Sequence, residues 1–116
     1  MGEFLNRRRS KATLWTVTGN DISGDQQYAA PVSILVRWEE RKVVFTNSSG
    51  QDEMSSAVVW LDRDVNEGDA IVLGTSTAAD PWTVSGAREI QGFIKVPHVL
   101  RDDYERRAFL GARRLR

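Results

Sequence analysis

Acidic side chains crowd into a short segment between two apolar runs in the middle of the chain. The runs are residues 57–61 and 70–74, and Gly68 lies in the segment that separates them. The acids of that segment are Asp62, Asp64, Glu67 and Asp69. Carboxylates spaced around a central glycine are typical of an EF-hand calcium loop, which also needs a helix on each side and a distal glutamate. Here the flanks are strand-like and no glutamate follows at the required offset, so the sequence does not favour a metal site.

A structural turn is the interpretation that the same residues favour. An apolar run, a polar segment with a glycine and a second apolar run are typical of a strand, a turn and a strand. Asp and Asn side chains stabilise such turns by bonding to the nearby backbone. Gly68 can take the positive φ that a chain reversal requires. We therefore identify Asp64, Gly68 and Asp69 as candidate turn residues.

Catalytic motifs are scarce in this chain. His98 is the only histidine and there is no cysteine, which excludes paired-histidine and thiolate chemistry. The sequence contains no nucleophile elbow, no Walker loop and no dinucleotide-binding glycine pattern. We expect His98 to be a surface or hinge residue beside Pro97. We predict that the protein is not an enzyme and uses no cofactor.

The elements that must position these residues are strands. Residues 32–39 alternate between apolar and mixed positions, which is the period of a strand with one buried face. Residues 11–18 and 87–96 are further strands, and Gly92 predicts a bulge or a close backbone approach. The loops between strands are residues 19–30, 47–53 and 75–86. This pattern predicts an all-β fold, a small antiparallel β-barrel or sandwich with long loops.

Length and composition fit a single soluble domain. The chain has 116 residues, of which 41% are hydrophobic and 28% charged. No apolar run approaches the roughly 20 residues of a membrane span. The basic N-terminus is not followed by an apolar signal core.

Charge is segregated along the chain although the net charge is zero. Residues 1–11 and residues 101–116 each carry a net +3, and residues 12–100 carry −6. We therefore predict a basic N-terminal arm (1–10), a barrel domain (11–100) and a basic C-terminal arm or short helix (101–116). Basic ends of this kind contact nucleic acid or an acidic partner surface. An ordinary solvated terminus is the competing interpretation.

Four tryptophans are spread evenly through the sequence. Trp15, Trp38 and Trp60 lie in apolar strand contexts, which favours the core or a subunit interface. Trp82 follows Pro81 in a loop, so we expect it to be the most exposed of the four.

Several short motifs resemble the small head-closure (head-completion or stopper) proteins of tailed bacteriophages. Thr13-Leu-Trp-Thr stands near the start, and Val59-Trp-Leu-Asp-Arg-Asp-Val is followed by Gly68-Asp-Ala-Ile in the centre. The last strand reads Ala87-Arg-Glu-Ile, then Phe93, and ends in Lys95-Val-Pro97. The resemblance covers roughly residues 10–110, and its most specific part is the strand, Asp-Val turn and Gly-Asp strand at the centre.

The resemblance implies a structural protein of the virion neck, assembled in the host cytoplasm. Such a protein sits under the portal or adaptor and above a tail terminator or tail tube protein. It self-associates in a ring with six-fold or twelve-fold symmetry, of which six-fold is favoured, and viral DNA passes through the lumen without sequence-specific binding. No membrane is involved. Loops and terminal arms make the contacts. The candidate interface residues are Arg7, Arg8, Arg9, Trp82, Phe109, Leu110, Arg113 and Arg114.

A small nucleic-acid-binding β-barrel is the alternative function. Basic ends and scattered tryptophans favour it. The net charge of −6 on the predicted barrel body opposes it, because a groove that binds phosphates is positive.

Overall fold

The computed structural model describes residues 9–97 and 104–113. These residues form ten strands and one short 3-10 helix. The strands are β1 (Ser10–Trp15), β2 (Val17–Asn20), β3 (Gln26–Tyr28), β4 (Val32–Glu39), β5 (Val44–Thr46), β6 (Asp52–Met54), β7 (Ala57–Leu61), β8 (Ala70–Leu73), β9 (Arg88–Pro97) and β10 (Tyr104–Gly111). The 3-10 helix is Pro81–Thr83, in the loop between β8 and β9.

Six of these strands close into an antiparallel barrel in the order β1-β4-β7-β10-β9-β8. The circle is complete because β1 pairs with both β4 and β8. Closure leaves no unpaired edge among the six strands, which removes the usual route to edge-to-edge aggregation. The prediction of an all-β fold is confirmed, and the barrel is the form that it takes.

The barrel core follows from the alternation of side chains along each strand. On β4, Ile34 and Val36 are buried in the barrel core, whereas Leu35 and Arg37, each one residue further along, stand at outward-facing positions. The strand period predicted for residues 32–39 is therefore confirmed. Buried residues from all six strands and the β7–β8 turn fill the interior: Ala12, Leu14, Ile34, Val36, Ala57, Val59, Leu61, Val65, Ile71, Ile90, Ala108 and Leu110.

The other four strands form two ribbons, β2–β3 and β5–β6, that continue hairpins of the barrel. Because β1 pairs with β4 and β2 pairs with β3, residues 10–39 make one long hairpin. The two halves are joined where the Ala29 N–H donates to the Thr16 carbonyl, 2.8 Å away. Part of the predicted loop 19–30 is thus a ribbon. In the same way β5–β6 extends the hairpin made by β4 and β7.

Each ribbon packs on the outside of the barrel through an aromatic side chain. On β5, Phe45 stacks on Phe109 of β10, with ring centroids 4.7 Å apart and planes 5° apart. On β3, Tyr28 meets Trp82 edge to face, with centroids 6.3 Å apart. Trp15 is fully buried beneath this second contact region. The ribbons therefore cover two separate parts of the outer wall.

The C-terminal part of the chain departs from the sequence prediction. Residues 104–111, expected in an arm or a short helix, form strand β10, which lies between β7 and β9. Phe109 is 4% exposed and Leu110 is 0% exposed, so neither is an anchor for a neighbouring molecule. The barrel domain consequently extends to Gly111 rather than ending at residue 100. Residues 98–103, with His98, lie outside the described residues.

Two glycine predictions are confirmed. Gly68 has a φ of 100°, and its N–H donates to the Ile90 carbonyl at 2.8 Å. At Gly92 the pairing of β9 with β10 shifts by one residue, which is a bulge beside Phe109. The backbone there also approaches Phe45 closely, because a Cβ on Gly92 would lie 2.6 Å from the phenyl ring.

Candidate interaction surfaces

The four acids of the central turn bind different partners. Asp62 pairs with Arg63, and the Glu67 carboxylate accepts the N–H of Ser48 at 2.9 Å, in the β5–β6 ribbon. Asp64 pairs with Arg106 at 2.6 Å and with Lys95 at 3.3 Å. Within residues 9–97 and 104–113, no group of three or more His, Asp or Glu side chains is placed to hold a metal ion.

Asp64 ties the turn to the β9–β10 hairpin. The hydrogen bond from Arg106, followed by that from Lys95, lowers the pKa of its exposed carboxyl group. Lys95 Nζ also lies 4.5 Å from the ring centroid of Tyr104 on β10. Exposed ion pairs of this kind contribute little to stability. They link the β7–β8 turn to both strands of the hairpin, through Lys95 on β9 and Arg106 on β10.

Asp69 stabilises the turn from inside. Its carboxylate is buried and accepts two backbone hydrogen bonds, from the Val17 N–H at 3.0 Å and from the Asn66 N–H at 2.9 Å. Burial raises the pKa of this carboxyl group, and the two N–H donors oppose that rise only in part. The side chain links the β7–β8 turn to the start of β2, across 52 positions of sequence.

The substitution Asp69→Asn is expected to destabilise the barrel by about 1–3 kcal/mol. An amide has one acceptor oxygen, so one of the two backbone N–H groups would face the NH2 group instead of an acceptor, and a buried unsatisfied donor costs about that much. Equilibrium denaturation of both proteins at neutral pH measures the difference. Equal unfolding free energies would contradict it.

The same pair of proteins tests the pKa shift. The folded state holds the Asp69 proton more tightly than the unfolded chain, whose pKa is near the ordinary 3.8. The pKa shift therefore adds a component of stability that is fully present below pH 3.8 and is lost as pH rises through the raised folded value. The two hydrogen bonds to the carboxylate persist at neutral pH. Carboxyl groups whose pKa is lowered, such as that of Glu39, give the opposite slope. The unfolding free energies of both proteins are measured as a function of pH. Subtracting the values for Asp69→Asn from those of the wild type isolates the part of the stability that Asp69 loses as pH rises.

Trp82 and Arg113, two of the candidate interface residues, contact each other. The guanidinium carbon of Arg113 lies 5.0 Å from the Trp82 ring centroid. Trp82 Nε1 donates to the Tyr28 hydroxyl at 3.1 Å. The preceding Ala112 carbonyl accepts a hydrogen bond from Gln91 Nε2 at 2.9 Å. The segment after β10 is thus packed on the barrel as far as residue 113 and does not extend away from it as an arm.

A row of facing residues crosses the outer wall of the barrel. Arg37 on β4, Trp60 on β7 and Arg107 on β10 are direct cross-strand partners. The two guanidinium carbons lie 5.0 and 5.3 Å from the Trp60 ring centroid. Each arginine also pairs with a glutamate two residues away on its own strand, Glu39 or Glu105. Trp60 is only 7% exposed, so its ring is not available for a nucleic-acid base to stack on.

Trp38 lies at one mouth of the barrel in a small polar network. Its Nε1 donates to Glu40 at 2.6 Å, and Arg88 forms a bidentate pair with the same carboxylate at 2.5 and 2.7 Å. The hydrogen bond from Arg88 lowers the pKa of Glu40. Trp15, Trp38 and Trp60 are all packed by barrel strands, as their sequence contexts predicted. Trp82 is half-buried rather than openly exposed.

Apolar side chains are exposed on the projecting hairpins. Ile22 is fully exposed near the tip of the β2–β3 ribbon. Val44 and Met54 are direct partners on the β5–β6 ribbon, and both are exposed. Val96 and Tyr104 are exposed on the β9–β10 hairpin. Ile22 was not among the predicted interface residues, although a single large apolar residue in a loop of Asp, Ser, Gly and Gln indicates an exposed contact residue.

The remaining candidate interface residues divide into two groups. Arg9 is exposed just before β1. Arg7, Arg8 and Arg114 lie outside the described residues.

No protein-family model matches the chain, and no curated protein matches it. Among the described residues, no helix combines the length and apolar character needed to cross a membrane.

Proposed function

We propose that this chain is a structural subunit of the head-to-tail connector of a tailed bacteriophage. It closes the DNA-filled head below the portal or adaptor and presents the surface to which the tail attaches. The observation that carries the proposal is the exposure of apolar side chains on three hairpins of a barrel whose own core is complete. These residues lie outside the buried clusters of the barrel. Exposed apolar groups mark contacts with other proteins.

The residue pattern and the charge support the same function. The motifs that resemble head-closure proteins lie on β1, β7, β8 and β9, which are barrel strands. In the proposed ring of six subunits, the acidic barrel body faces DNA that must pass without binding, since like charges repel. The partners above and below are the portal or adaptor and a tail terminator or tail tube protein. The site of action is the virion neck.

A joining assay tests this function. DNA-filled heads that lack the protein are mixed with purified chain and with tails, and joined particles are counted by negative-stain microscopy. The double variant Val44→Asp, Met54→Asp places two charges on the exposed ribbon pair and is expected to reduce joining strongly. The matched control Ser49→Asp, Gln51→Asp adds the same charge at exposed polar positions of that ribbon and is expected to join normally. Melting curves establish that both variants are folded.

Failure of the wild-type chain to join heads and tails would overturn the connector function. Tight, salt-dependent binding to DNA by the isolated chain would favour the nucleic-acid-binding barrel instead. The structure gives that alternative little support, because both arginines beside Trp60 are paired with glutamates.

A further inference from the structure

The Ile22 loop, defined as residues 21–25, holds an apolar side chain rigidly in solvent. The Asp21 carboxylate accepts the N–H groups of Ser23 and Asp25, each at 2.9 Å. Backbone bonds from Asp21 N–H to the Asp25 carbonyl and from Gly24 N–H to the Asp21 carbonyl close the turn. The loop cannot collapse to hide Ile22 without breaking these four bonds. An isoleucine held exposed in this way is built to enter a contact.

The Ile22 loop is also acidic. Asp21 and Asp25 flank Ile22, and no cation pairs with either carboxylate among the residues that the structure describes. A surface that accepts this loop therefore combines an apolar position with positive charge. Opposite charges at the edge of a contact set its orientation and raise the rate of encounter.

The outer wall of β1 and β4 carries a surface of that kind, which we call the cationic leucine patch: Arg9, Lys11 and Leu35. Leu35 is 40% exposed on the barrel wall and is the direct cross-strand partner of Lys11. Arg37, two residues later on the same strand face, is already paired with Glu39 and is not counted in the patch. Arg9 precedes Lys11 by two residues and is exposed. In the described part of the chain, neither Arg9 nor Lys11 forms an ion pair.

The exposed apolar pair on the β5–β6 ribbon has acidic residues beside it. Val44 and Met54 share their ribbon with Asp52 and Glu53. An acidic loop would be repelled there.

We propose that the Ile22 loop of one copy binds the cationic leucine patch of a second copy of this chain. The two surfaces are different, so the contact is head-to-tail and can repeat from subunit to subunit until a ring closes. The proposal rests on exposure and charge, and it is tested without any other protein. Its failure is therefore distinguishable from failure of the connector function.

Cysteine trapping gives a direct test, because the natural chain has no cysteine. Two single variants, Ile22→Cys and Leu35→Cys, are purified with tags of different mass, mixed at high concentration and oxidised. The expected result is a mixed disulfide dimer in excess of the yield from random pairing. A chain that carries both substitutions is expected to give a ladder of higher multimers on non-reducing gels.

The control mixture pairs Ile22→Cys with Met54→Cys, which places the second thiol at an apolar position that is more exposed than Leu35, 59% against 40%. Mixed dimers are expected there only at the random level. Equal yields in the two mixtures, or no excess in the first, would overturn the proposal.

Charge reversal tests the complementarity itself. Asp25→Lys leaves the Asp21 bonds of the loop in place, and Lys11→Asp is an exposed change on the receiving patch. Each change alone is expected to remove the excess of mixed dimer, and the two together are expected to restore it. The wild-type excess is also expected to fall with added salt, because the screening length is about 8 Å at physiological ionic strength. An excess that neither reversal nor salt affects would contradict the role of charge.

Discussion

A chain that ends at residue 100 is expected to remain unfolded, whereas a chain that ends at residue 113 is expected to fold as the full-length protein does. The shorter chain lacks β10, which closes the barrel between β7 and β9. It loses the buried side chains of Phe109 and Leu110, each worth about 1.5–3 kcal/mol. It also exposes the pairing edges of β7 and β9. Together these losses are comparable to the whole stability of a small domain, about 5–15 kcal/mol.

Circular dichroism and thermal melting of the two truncated chains measure this difference. The chain that ends at residue 113 keeps the Gln91 contact to Ala112 and the Arg113 contact to Trp82, so its melting temperature should match that of the full-length protein. A cooperative melt from the shorter chain would mean that the barrel closes without β10. The result also decides between the domain boundary predicted at residue 100 and the boundary that the structure places after Gly111.

Strand β10 illustrates what local sequence cannot decide. Tyr104 and Ala108 stand four residues apart with arginines between and after them, which favours a short helix or a solvated arm. In the barrel, two consecutive arginines of this strand contact different partners instead. Arg106 bonds to Asp64 of the β7–β8 turn, and Arg107 covers Trp60 on the outer wall. These partners are 42 and 47 positions away. Only the pairing of β10 with β7 and β9 makes a strand of this segment.

Strand β4 was readable because its signal is local. Its apolar and mixed residues alternate without interruption, so the period alone assigns the buried face. The two strands around Gly68 and its positive φ were predictable for the same reason, since the apolar runs and the glycine lie within 18 residues. The pairing was not, because β7 and β8 are not neighbours in the barrel and the segment between them connects two separate strands. The role of Asp69 could not be predicted from the local sequence, because one of its two hydrogen bonds comes from the Val17 N–H on another hairpin.

The interface predictions divide along the same line. Arg9 is exposed, and its place in an interface stays a prediction. Leu110 was assigned to a docking arm because nothing within the last 16 residues offers it a partner, yet Ala57 of β7 pairs with it in the barrel. Apolar residues near a terminus therefore do not indicate a binding arm when the strand that they complete is distant in sequence.

Gly92→Ala is expected to destabilise the barrel by about 1–3 kcal/mol, the usual cost of overpacking a core, and Gly92→Val by more. Gly92 does not have a positive φ, so backbone strain is not the cause. The added Cβ would lie 2.6 Å from two carbons of the Phe45 ring and 3.4 Å from Phe109. The Phe45 ring cannot simply turn aside, because it is stacked on Phe109. The methyl group must therefore displace the β5–β6 ribbon or part the stacked rings.

A double-mutant cycle with Phe45→Ala tests that cause. Phe45→Ala alone is expected to destabilise the protein by about 3–5 kcal/mol, because it removes a buried ring. In that background, however, Gly92→Ala has space for its methyl group and is expected to cost almost nothing, which leaves a coupling energy about as large as the single Gly92→Ala effect. Chemical denaturation of the four proteins measures the cycle. If the two destabilisations add without coupling, Gly92 is required for its backbone conformation at the bulge and not for the space that it leaves for the Phe45 ring.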